Sequence, residues 1–573
     1  MEQNTPDDEF DRILSLYINE EKGVASKEEA LAGAMDIIAE NISDDPDFRA
    51  RIKVIAKNKG LVVVEGTDKN EKTVFEMYYD YKEPIKSIAN HRVLAINRGE
   101  KEKKLKVNLH ISNDEILSLL KSKLITNSSA ITAQYIENAI EDGYKRLLFP
   151  SIEREIRNNL TEVAEEDAIK VFSLNLQPLL MQPPIKGKNV MAVDPGFRTG
   201  CKVAVVDDTG KLLDYVTVYP TEPQNQVEKT KVKLKELIKK YDVKLISIGN
   251  GTASRETEFV VAEMLKELND DISYIIVSEA GASIYSASEV GINEFPDLDV
   301  TIRGAVSIGR RLQDPLAELV KIEPRHIGVG QYQHDLNQGK LDEALKGVVE
   351  DCVNSVGVDL NTASPSLLKY VAGVSTRVAN SLVNYREEKG KFISRKELLK
   401  VKGLGGKTFE QCAGFLRITD GKNPLDNTGV HPESYEVADS LLKMDYQNLE
   451  IKEISSQLGV GIPTLKDIIK ELEKPGRDPR DEMPKPMLRQ DILKIEDLKP
   501  DMILNGTVRN VVDFGAFVDI GVKEDGLVHL SHLCDKFIKH PKEVVKVGDI
   551  VKVKIIDVDI NRGRISLSMK QIK

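Results

Sequence analysis

The chain has 573 residues, and 92 acidic against 81 basic side chains give a net charge of −11. This length predicts several domains, and 41% hydrophobic with 30% charged residues is typical of a globular chain with apolar cores. No apolar run reaches the ~20 residues that a membrane-spanning helix needs. Four scattered cysteines exclude a disulfide framework. We therefore expect a cytoplasmic protein that has no membrane partner.

Residues 1–187 are predicted to be mixed and largely helical. Ser26, followed three residues later by Glu29, is a helix-start signal, and the helical pattern then runs to Ile42. Two short strands are predicted after this helix, in GLVVVEG and KTVFEMYYDY. Paired prolines in MQPPIKGKN mark the end of this region.

Residues 188–317 change to strand-length apolar runs, which lie in NVMAVDPG, CKVAVVDDTGKLLDYVTVY, KLISIGNG and SYIIVSEAG. Three consecutive strands followed by alternating helix and strand indicate a ribonuclease-H-like α/β sheet. A doubly wound nucleotide-binding fold is the alternative. It is the weaker one, because no GxGxxG motif follows the first strand.

Three acidic residues of this region are candidate catalytic groups. Asp194 ends the first strand, Glu279 follows a later strand, and Asp314 precedes a helix. Carboxylates that converge at strand ends can hold two divalent metal ions for phosphodiester hydrolysis, and their hard oxygen ligands suit Mg²⁺ or Mn²⁺. The alternative interpretation is structural, with Asp194 in a turn before Pro195-Gly196 and Asp314 as a helix N-cap.

Residues 318–420 are predicted to be helical, with two similar glycine turns at Gly373 and at Gly403-Leu404-Gly405. Such turns let a backbone approach closely, and the helix start that follows favours an anion. From residue 363 to 420 there are 11 basic and 5 acidic residues, a net charge of +6 in an acidic chain. Lys402 and Lys407 are therefore candidate contacts to a nucleic-acid backbone, although an αα-hairpin used only for packing is the alternative.

Residues 421–498 are predicted to form a small helical unit followed by a Pro-rich extended linker, and residues 499–573 a five-stranded OB-type barrel. Phe514, Phe517 and His529 could stack on unpaired bases, and Arg564 could face phosphates. A spacing of three residues on a strand points Phe514 and Phe517 to opposite faces, so one of these rings could instead belong to the core.

Several stretches of the sequence resemble known modules. Residues 508–533 and 547–570 resemble the S1 RNA-binding domain, which implies that Phe514, Phe517, His529 and Arg564 face single-stranded RNA. The glycine turns resemble a tandem helix-hairpin-helix. The stretch DPGFRTG is similar to one in the resolvase-like YqgF domain of the ribonuclease H superfamily. The resemblance implies that Asp194 and Glu279 match the first two acids of that domain, and that Asp314 matches the third by position only.

Taken in order, the signature stretches resemble the bacterial Tex family of RNA-binding transcription accessory proteins. They are HRVLAINRGEKE, DPGFRTGCK, GNGTASRETE, VGQYQHDL, VNSVGVDLNTAS, NPLDNTGVHPE and PGRDPRDEMPKP. The resemblance implies a multidomain fold, mainly α with α/β, in the order described above. Tex proteins usually begin with a further helical region that packs against the central helices, so the resemblance implies either a shortened form or a partner that supplies the missing surface.

The resulting expectation is a non-enzymatic protein of transcription that binds single-stranded RNA through the S1 barrel and nucleic-acid backbone through the hairpins. DNA and the transcription machinery are further candidate partners, and a monomer is expected. A metal-dependent nuclease or resolvase is the alternative function. No cofactor is expected to be required, and Mg²⁺ or Mn²⁺ would be needed only if the ribonuclease-H-like site were active.

Overall fold

The fold is given by a computed structural model, which describes residues 3, 5–268, 271–328, 330, 332–444, 450–483, 486, 488, 489, 498–522, 524–538, 540–560 and 562–570. These residues divide into two compact units. The first unit comprises 1–171 with 330–338, and the second comprises 172–329 with 339–573.

The first unit is mainly helical, as its composition predicts. Its helices are α1 (Asp7–Leu16), α2 (Lys27–Asp44), α3 (Pro46–Lys59), α4 (Asn90–Lys101), α5 (Asn113–Leu124), α6 (Ala133–Asp142) and the part of α7 (Phe149–Leu180) that precedes Phe172. The Ser26 side chain accepts a hydrogen bond from the Glu29 backbone N–H and so begins α2 as predicted. Ile42, Ile116 and Ile140 meet in one buried core between these helices.

A three-stranded antiparallel sheet completes this unit, in the order β2-β1-β3. Its strands are β1 (Leu61–Gly66), β2 (Asp80–Pro84) and β3 (Leu105–His110). The predicted strand in GLVVVEG is present. The prediction of a strand in KTVFEMYYDY is wrong over most of that stretch. Glu76–Tyr78 form a 3₁₀ turn that buries Tyr78, and the paired strand begins only at Asp80.

The second unit contains a five-stranded sheet in the order β6-β5-β4-β7-β8. The strands are β4 (Val190–Asp194), β5 (Cys201–Val206), β6 (Leu212–Val218), β7 (Leu245–Gly249) and β8 (Ser273–Val277). The first three pair antiparallel, and β7 and β8 run parallel to β4. This is the ribonuclease-H-like order, and the antiparallel start excludes the doubly wound alternative.

Helices cover both faces of this sheet. On one face, α8 (Val227–Lys240) and α9 (Ser254–Leu268) bury an apolar core against it, and α12 (Val300–Gln313) packs on the other face. The shorter helices of this region are α10 (Ala282–Ala287), α11 (Glu289–Glu294) and α13 (Pro315–Leu319). The sheet is thus held between layers, and the carboxyl ends of β4, β7 and β8 meet at one edge.

The predicted hairpin region follows. Its elements are α14 (Gln338–Val356), β9 (Val358–Asp359), α15 (Pro365–Leu368), α16 (Thr376–Lys389), α17 (Gly406–Cys412) and β10 (Leu416–Arg417). The short strands β9 and β10 pair in parallel. The helix predicted before the second glycine turn is a 3₁₀ segment, Arg395–Lys400.

A small helical unit comes next, with α18 (Tyr435–Lys443), α19 (Ile451–Leu458) and α20 (Ile462–Glu473) around a common core. The Pro-rich stretch after it is not an extended solvated linker where the structure describes it. Arg480 is 3% exposed and is held by Asp478 and Asp314 at 2.8 and 2.7 Å. Residues 484, 485, 487 and 490–497 of this stretch lie outside the described part.

The carboxy-terminal strands close into the predicted barrel, in the order β11-β12-β13-β15-β14. They are β11 (Ile503–Val512), β12 (Gly515–Asp519), β13 (Gly526–His529), β14 (Ile550–Asp559) and β15 (Arg564–Ser568). Alternate residues such as Val518, Val528 and Val553 fill the interior. In the described part of the chain, no helix is long and apolar enough to span a membrane.

Candidate nucleic-acid interface

Phe517 and His529 lie on the same outer face of the barrel. On β12, Phe517 stands between Ala516 and Val518, which are fully buried in the barrel interior. The pairing register places Gly515 opposite His529. Because residues two apart on a strand share a face, Gly515, Phe517 and His529 all point outward.

Arg564 extends this face onto a third strand. Leu527 of β13 lies opposite Phe517 on one side and opposite Ser566 of β15 on the other. Arg564 is two residues before Ser566, and Ile565 between them is buried. An aromatic ring, an imidazole and a guanidinium therefore occupy neighbouring strands of one surface, which is the arrangement that stacks bases and meets phosphates.

Phe514 is on the outside of the barrel as well. It lies in the turn between β11 and β12 and is 50% exposed. Its ring meets the Phe517 ring edge to face, with centroids 6.3 Å apart and planes at 85°. The expectation that strand alternation could bury one of the two rings is not met, because Phe514 precedes β12 and does not follow its alternation.

The two glycine turns are built alike. In each, the backbone N–H of the residue after glycine donates to the carbonyl three residues back, from Val374 to Val371 and from Leu404 to Val401. Gly373 and Gly403 have φ of +77° and +89°, a conformation that side chains disfavour. A helix starts directly after each turn.

The turns also pack against one another's helices. A Cβ at Gly373 would lie 2.7 Å from the Cβ of Gln411 in α17, and one at Gly403 would lie 3.8 Å from Val378 in α16. No atom lies within 4 Å of the place where a Cβ of Gly405 would be. The tandem is thus one compact body with an open surface at the second turn.

Lys402 and Lys407 flank this open surface, and both are exposed. Neither makes an ion pair with any residue that the structure describes. Two uncompensated cations beside an exposed glycine turn and a helix start form a surface suited to a phosphate.

The carboxylates predicted to converge do so only in part. Asp194 ends β4, and its pKa is raised to about 6 by burial and by the charge of Glu279. The Glu279 carboxylate lies against the end of β7, where a Cβ at Gly249 would be 2.7 Å from its Oε2 and a Cβ at Gly251 would overlap it. Burial also raises the pKa of Glu279.

Asp314 is not part of this pair. It caps α13 by accepting a hydrogen bond from the Ala317 N–H at 3.1 Å, and it pairs with the buried Arg480. This is the structural role that the sequence offered as the alternative. Of the described residues, no three His, Cys, Asp or Glu side chains come together as a group that could hold a metal ion.

Arg311 lies near enough to the two acids for its charge to favour the ionised form of each. It is buried, and its Nη1 donates to the carbonyls of Ser278 and Ala280 at 2.7 and 2.8 Å. Burial lowers the pKa of Arg311 to about 10, against the opposing charges of Glu318, Glu279 and Asp194. A fixed cation among two carboxylates does not fit a two-metal centre, which needs an excess of oxygen ligands.

Family models match the chain along nearly its whole length. They are described as Tex central region-like (residues 5–172), Tex protein YqgF-like domain (188–313), helix-hairpin-helix motif (353–417), HHH domain (423–480) and S1 RNA binding domain (497–570). These boundaries follow the elements described above.

Relatives that match this chain over nearly its whole length indicate the same family as the family models do. The chain is 45% identical to Protein tex of Bordetella pertussis over 97% of this chain and 74% of that protein. It is 47% identical to the Transcriptional accessory protein Tex of Neisseria gonorrhoeae, over 97% and 75%, and 53% identical to the uncharacterized protein YdcI of Bacillus subtilis, over 98% and 81%. The chain belongs to the Tex family.

Within this Tex-family chain, the internal repeat shows a candidate residue that the sequence alone did not single out. Gly373 and Gly403 are thirty residues apart, and the same offset relates Lys407 to Arg377. Arg377 is exposed in the first turn of α16, as Lys407 is in α17. Aligning the two turns on their glycines would have found it.

Replacing Lys402 and Lys407 together with alanine is expected to flatten the salt dependence of nucleic-acid binding. Each phosphate contact releases counterions, so the slope of log affinity against log salt should fall by about 1 per lysine that contacts phosphate. The measurement is a titration at several salt concentrations. Lys229→Ala with Lys239→Ala, two exposed lysines of α8, is the matched control. Equal slopes in both double variants would show that the hairpin lysines are only solvated.

Asp194 is expected to make stability fall as the pH rises. The folded-state pKa of about 6 lies above the ordinary value of 3.8. The contribution of Asp194 to the free energy of unfolding is therefore fully present below about pH 4, and it is lost as the pH rises through 6 because the folded state opposes ionisation of the carboxyl. Asp194→Asn should remove this loss, on the order of 1–2 kcal/mol after solvent screening. Thermal melting from pH 4 to 7 measures it, with the exposed Asp208→Asn as control. A stability difference from the parent that does not change with pH would contradict the assignment.

Proposed function

We propose that this chain is an accessory protein of transcription that holds single-stranded RNA on the S1 barrel and nucleic-acid backbone on the hairpin tandem. The observation that carries the proposal is the outer barrel face shared by Phe514, Phe517, His529 and Arg564, which presents two aromatic rings, an imidazole and a guanidinium on one surface. The name of the Neisseria gonorrhoeae relative, a transcriptional accessory protein, supports the role in transcription.

The hairpin surface supports a second, less selective contact. Backbone contacts from Lys402, Lys407 and Arg377 would fix position without reading sequence. Such a surface accepts DNA as well as RNA, so DNA is proposed as a second ligand of the hairpins and not of the barrel face. Competition between labelled RNA and unlabelled single- or double-stranded DNA tests this division. DNA that displaces RNA from the barrel as well as RNA does would contradict it.

Crosslinking of the chain to RNA in growing cells tests the proposed role. The parent should crosslink to nascent transcripts, and Phe517→Ala should lose most of this signal while accumulating to the same level. Lys239→Ala is the control for unrelated surface change. Crosslinks confined to mature ribosomal or transfer RNA would contradict a role at transcription.

We propose that the ribonuclease-H-like domain acts as a scaffold and not as a nuclease. Asp314 is engaged by Arg480, and Arg311 lies with Asp194 and Glu279, which together disfavour the three-acid arrangement. The test is incubation of labelled RNA, DNA and branched junctions with Mg²⁺ or Mn²⁺. We expect no cleavage above background. Cleavage that disappears in Asp194→Ala would establish the nuclease function instead.

A further inference from the structure

A network of buried charges joins the S1 barrel to the ribonuclease-H-like domain. Asp519, at the end of β12, is 6% exposed, and Glu258 on α9 is 2% exposed. Arg489 bridges them, with its Nη2 donating to Asp519 Oδ1 at 2.9 Å and its Nη1 lying 3.5 Å from Glu258 Oε1. One guanidinium thus contacts one acid from each domain.

Each acid also has a partner within its own domain. Arg509 of the barrel pairs with Asp519 at 2.6 Å, and Arg255 of α9 pairs with Glu258 at 2.5 Å. The Tyr274 hydroxyl donates to Glu258 at 3.0 Å. Neither acid is left uncompensated without Arg489, so the contribution specific to Arg489 is the connection between the two domains.

The backbone around Arg489 is fixed as well. Its N–H donates to the Tyr274 carbonyl at 2.9 Å, and the Tyr274 N–H donates to its carbonyl at 2.8 Å, which adds one extended residue to the edge of β8. From the other side, Arg255 Nη2 donates to the Gly521 carbonyl of the barrel at 3.1 Å. The segment before the barrel is therefore attached to the sheet and does not act as a free tether at this position.

Charged and apolar contacts both join the barrel to the ribonuclease-H-like domain and α7. Apolar contact across the junction includes Leu179 of α7, which packs against the barrel core. The same junction borders an open cleft of about 910 Å³, lined by Arg255, Arg489 and Asp519 among others. The bridging guanidinium thus lies at the wall of this cleft, between the two domains.

We propose that Arg489 is a positioning residue for RNA binding: it holds the stacking face of the barrel at a fixed place on the ribonuclease-H-like domain. Asp519 is two residues from Phe517 on the same outer face of β12, so the clamp and the candidate stacking site share one strand. Phe514 and His529 remain exposed in the clamped state, so the face is open to RNA there. This inference rests on the proposed function.

Compared with a barrel that is free to move, a barrel held in place by Arg489 should raise the affinity of the protein for a long RNA but not its affinity for a short one. A strand long enough to contact both barrel and hairpins binds as a bivalent ligand, and its affinity depends on how well the two sites are prealigned. A hexanucleotide that contacts only the barrel gains nothing from the alignment. The ratio of these two affinities therefore separates positioning from direct contact.

The experiment uses the full chain with spin labels at Glu236→Cys on α8 and Lys552→Cys on β14, in a Cys534→Ser background. The distribution of distances between the two spin labels is measured for the labelled parent and for its Arg489→Ala and Arg489→Lys variants, with Lys239→Ala as control. We expect a narrow distribution in the parent, a broad one in Arg489→Ala and partial rescue by Arg489→Lys, which keeps the charge but not the planar fork.

In the same variants, affinity is measured for a hexanucleotide and for a 40-nucleotide RNA. Arg489→Ala should weaken long-RNA binding about tenfold and leave hexanucleotide binding unchanged. An unchanged distance distribution, an unchanged long-RNA affinity or an equal loss for both RNAs would each overturn the inference. If Phe517→Ala leaves hexanucleotide binding intact, the proposed function fails instead, while the distances still decide whether Arg489 holds the barrel.

Discussion

Phe517→Ala and His529→Ala should each lower the affinity for single-stranded RNA by about 1–3 kcal/mol, the range for one base stacked on an aromatic ring. Both side chains lie on the outer barrel face, and the interior beneath them is filled by residues such as Val518 and Val528. Truncation therefore removes contact area for the ligand and leaves the core intact. Fluorescence anisotropy with labelled RNA measures the loss.

Phe514 is also expected to contact RNA without contributing to the barrel core. Because its ring is half exposed in a turn, Phe514→Ala should reduce RNA affinity and leave the melting temperature unchanged. Ile503→Ala is the control, since Ile503 is 52% exposed on the part of β11 that pairs with β14. If the aromatic variants melt like the parent and bind RNA as tightly as Ile503→Ala does, the stacking face lies elsewhere.

Arg395→Ala should destabilise the hairpin region by about 3–5 kcal/mol, because several buried acceptors lose a charged donor and each acceptor left unsatisfied costs about 1–3 kcal/mol. Arg395 is 1% exposed. It donates to the carbonyls of Leu416 and Val430, each at 2.7 Å, and to the Tyr435 hydroxyl at 2.8 Å. Alanine leaves these acceptors unsatisfied in the core, and the Tyr435 hydroxyl that Arg395 holds is the one that donates to the buried Asp426 at 2.7 Å.

The neighbouring Lys396→Ala is the matched control, because Lys396 is exposed and its loss should change stability by less than about 0.5 kcal/mol. Hydrogen exchange of the amides from 416 to 430 measures the stability of this region directly. Equal exchange rates in Arg395→Ala and Lys396→Ala would mean that the network does not stabilise this region.

Much of the fold can be predicted from the sequence, because short stretches of the sequence carry the patterns that specify its strands, helices and turns. Alternating residues predict the barrel strands, and the order of three strands before helix and strand predicts the ribonuclease-H-like sheet. The glycine turns are equally explicit, since Gly373 and Gly403 adopt the positive φ that selects glycine. Because the ends of parallel strands meet at one edge of a sheet, the strand order also brings Asp194 near Glu279, whose charge contributes to the raised pKa of Asp194.

The charged residues inside the protein could not be predicted in the same way. Arg311, Arg395, Arg480 and Arg489 look like ordinary surface arginines in the sequence, and each has partners far away along the chain. Hydrophobic periodicity carries no information on such pairs. For the same reason the sequence predicts a solvated linker in the Pro-rich stretch and offers Asp314 as a catalytic candidate, because nothing near either in the sequence indicates the Arg480–Asp314 pair.

Gly249 and Gly251 at the end of β7 restrict how this domain could change. The space that a side chain at either position would need is taken by the Glu279 carboxylate, which a Cβ at Gly251 would overlap. An aspartate introduced there to complete a set of metal ligands would have to displace the acid it is meant to join. A third carboxylate at this edge would thus require moving the Glu279 side chain or rebuilding the loop after β7.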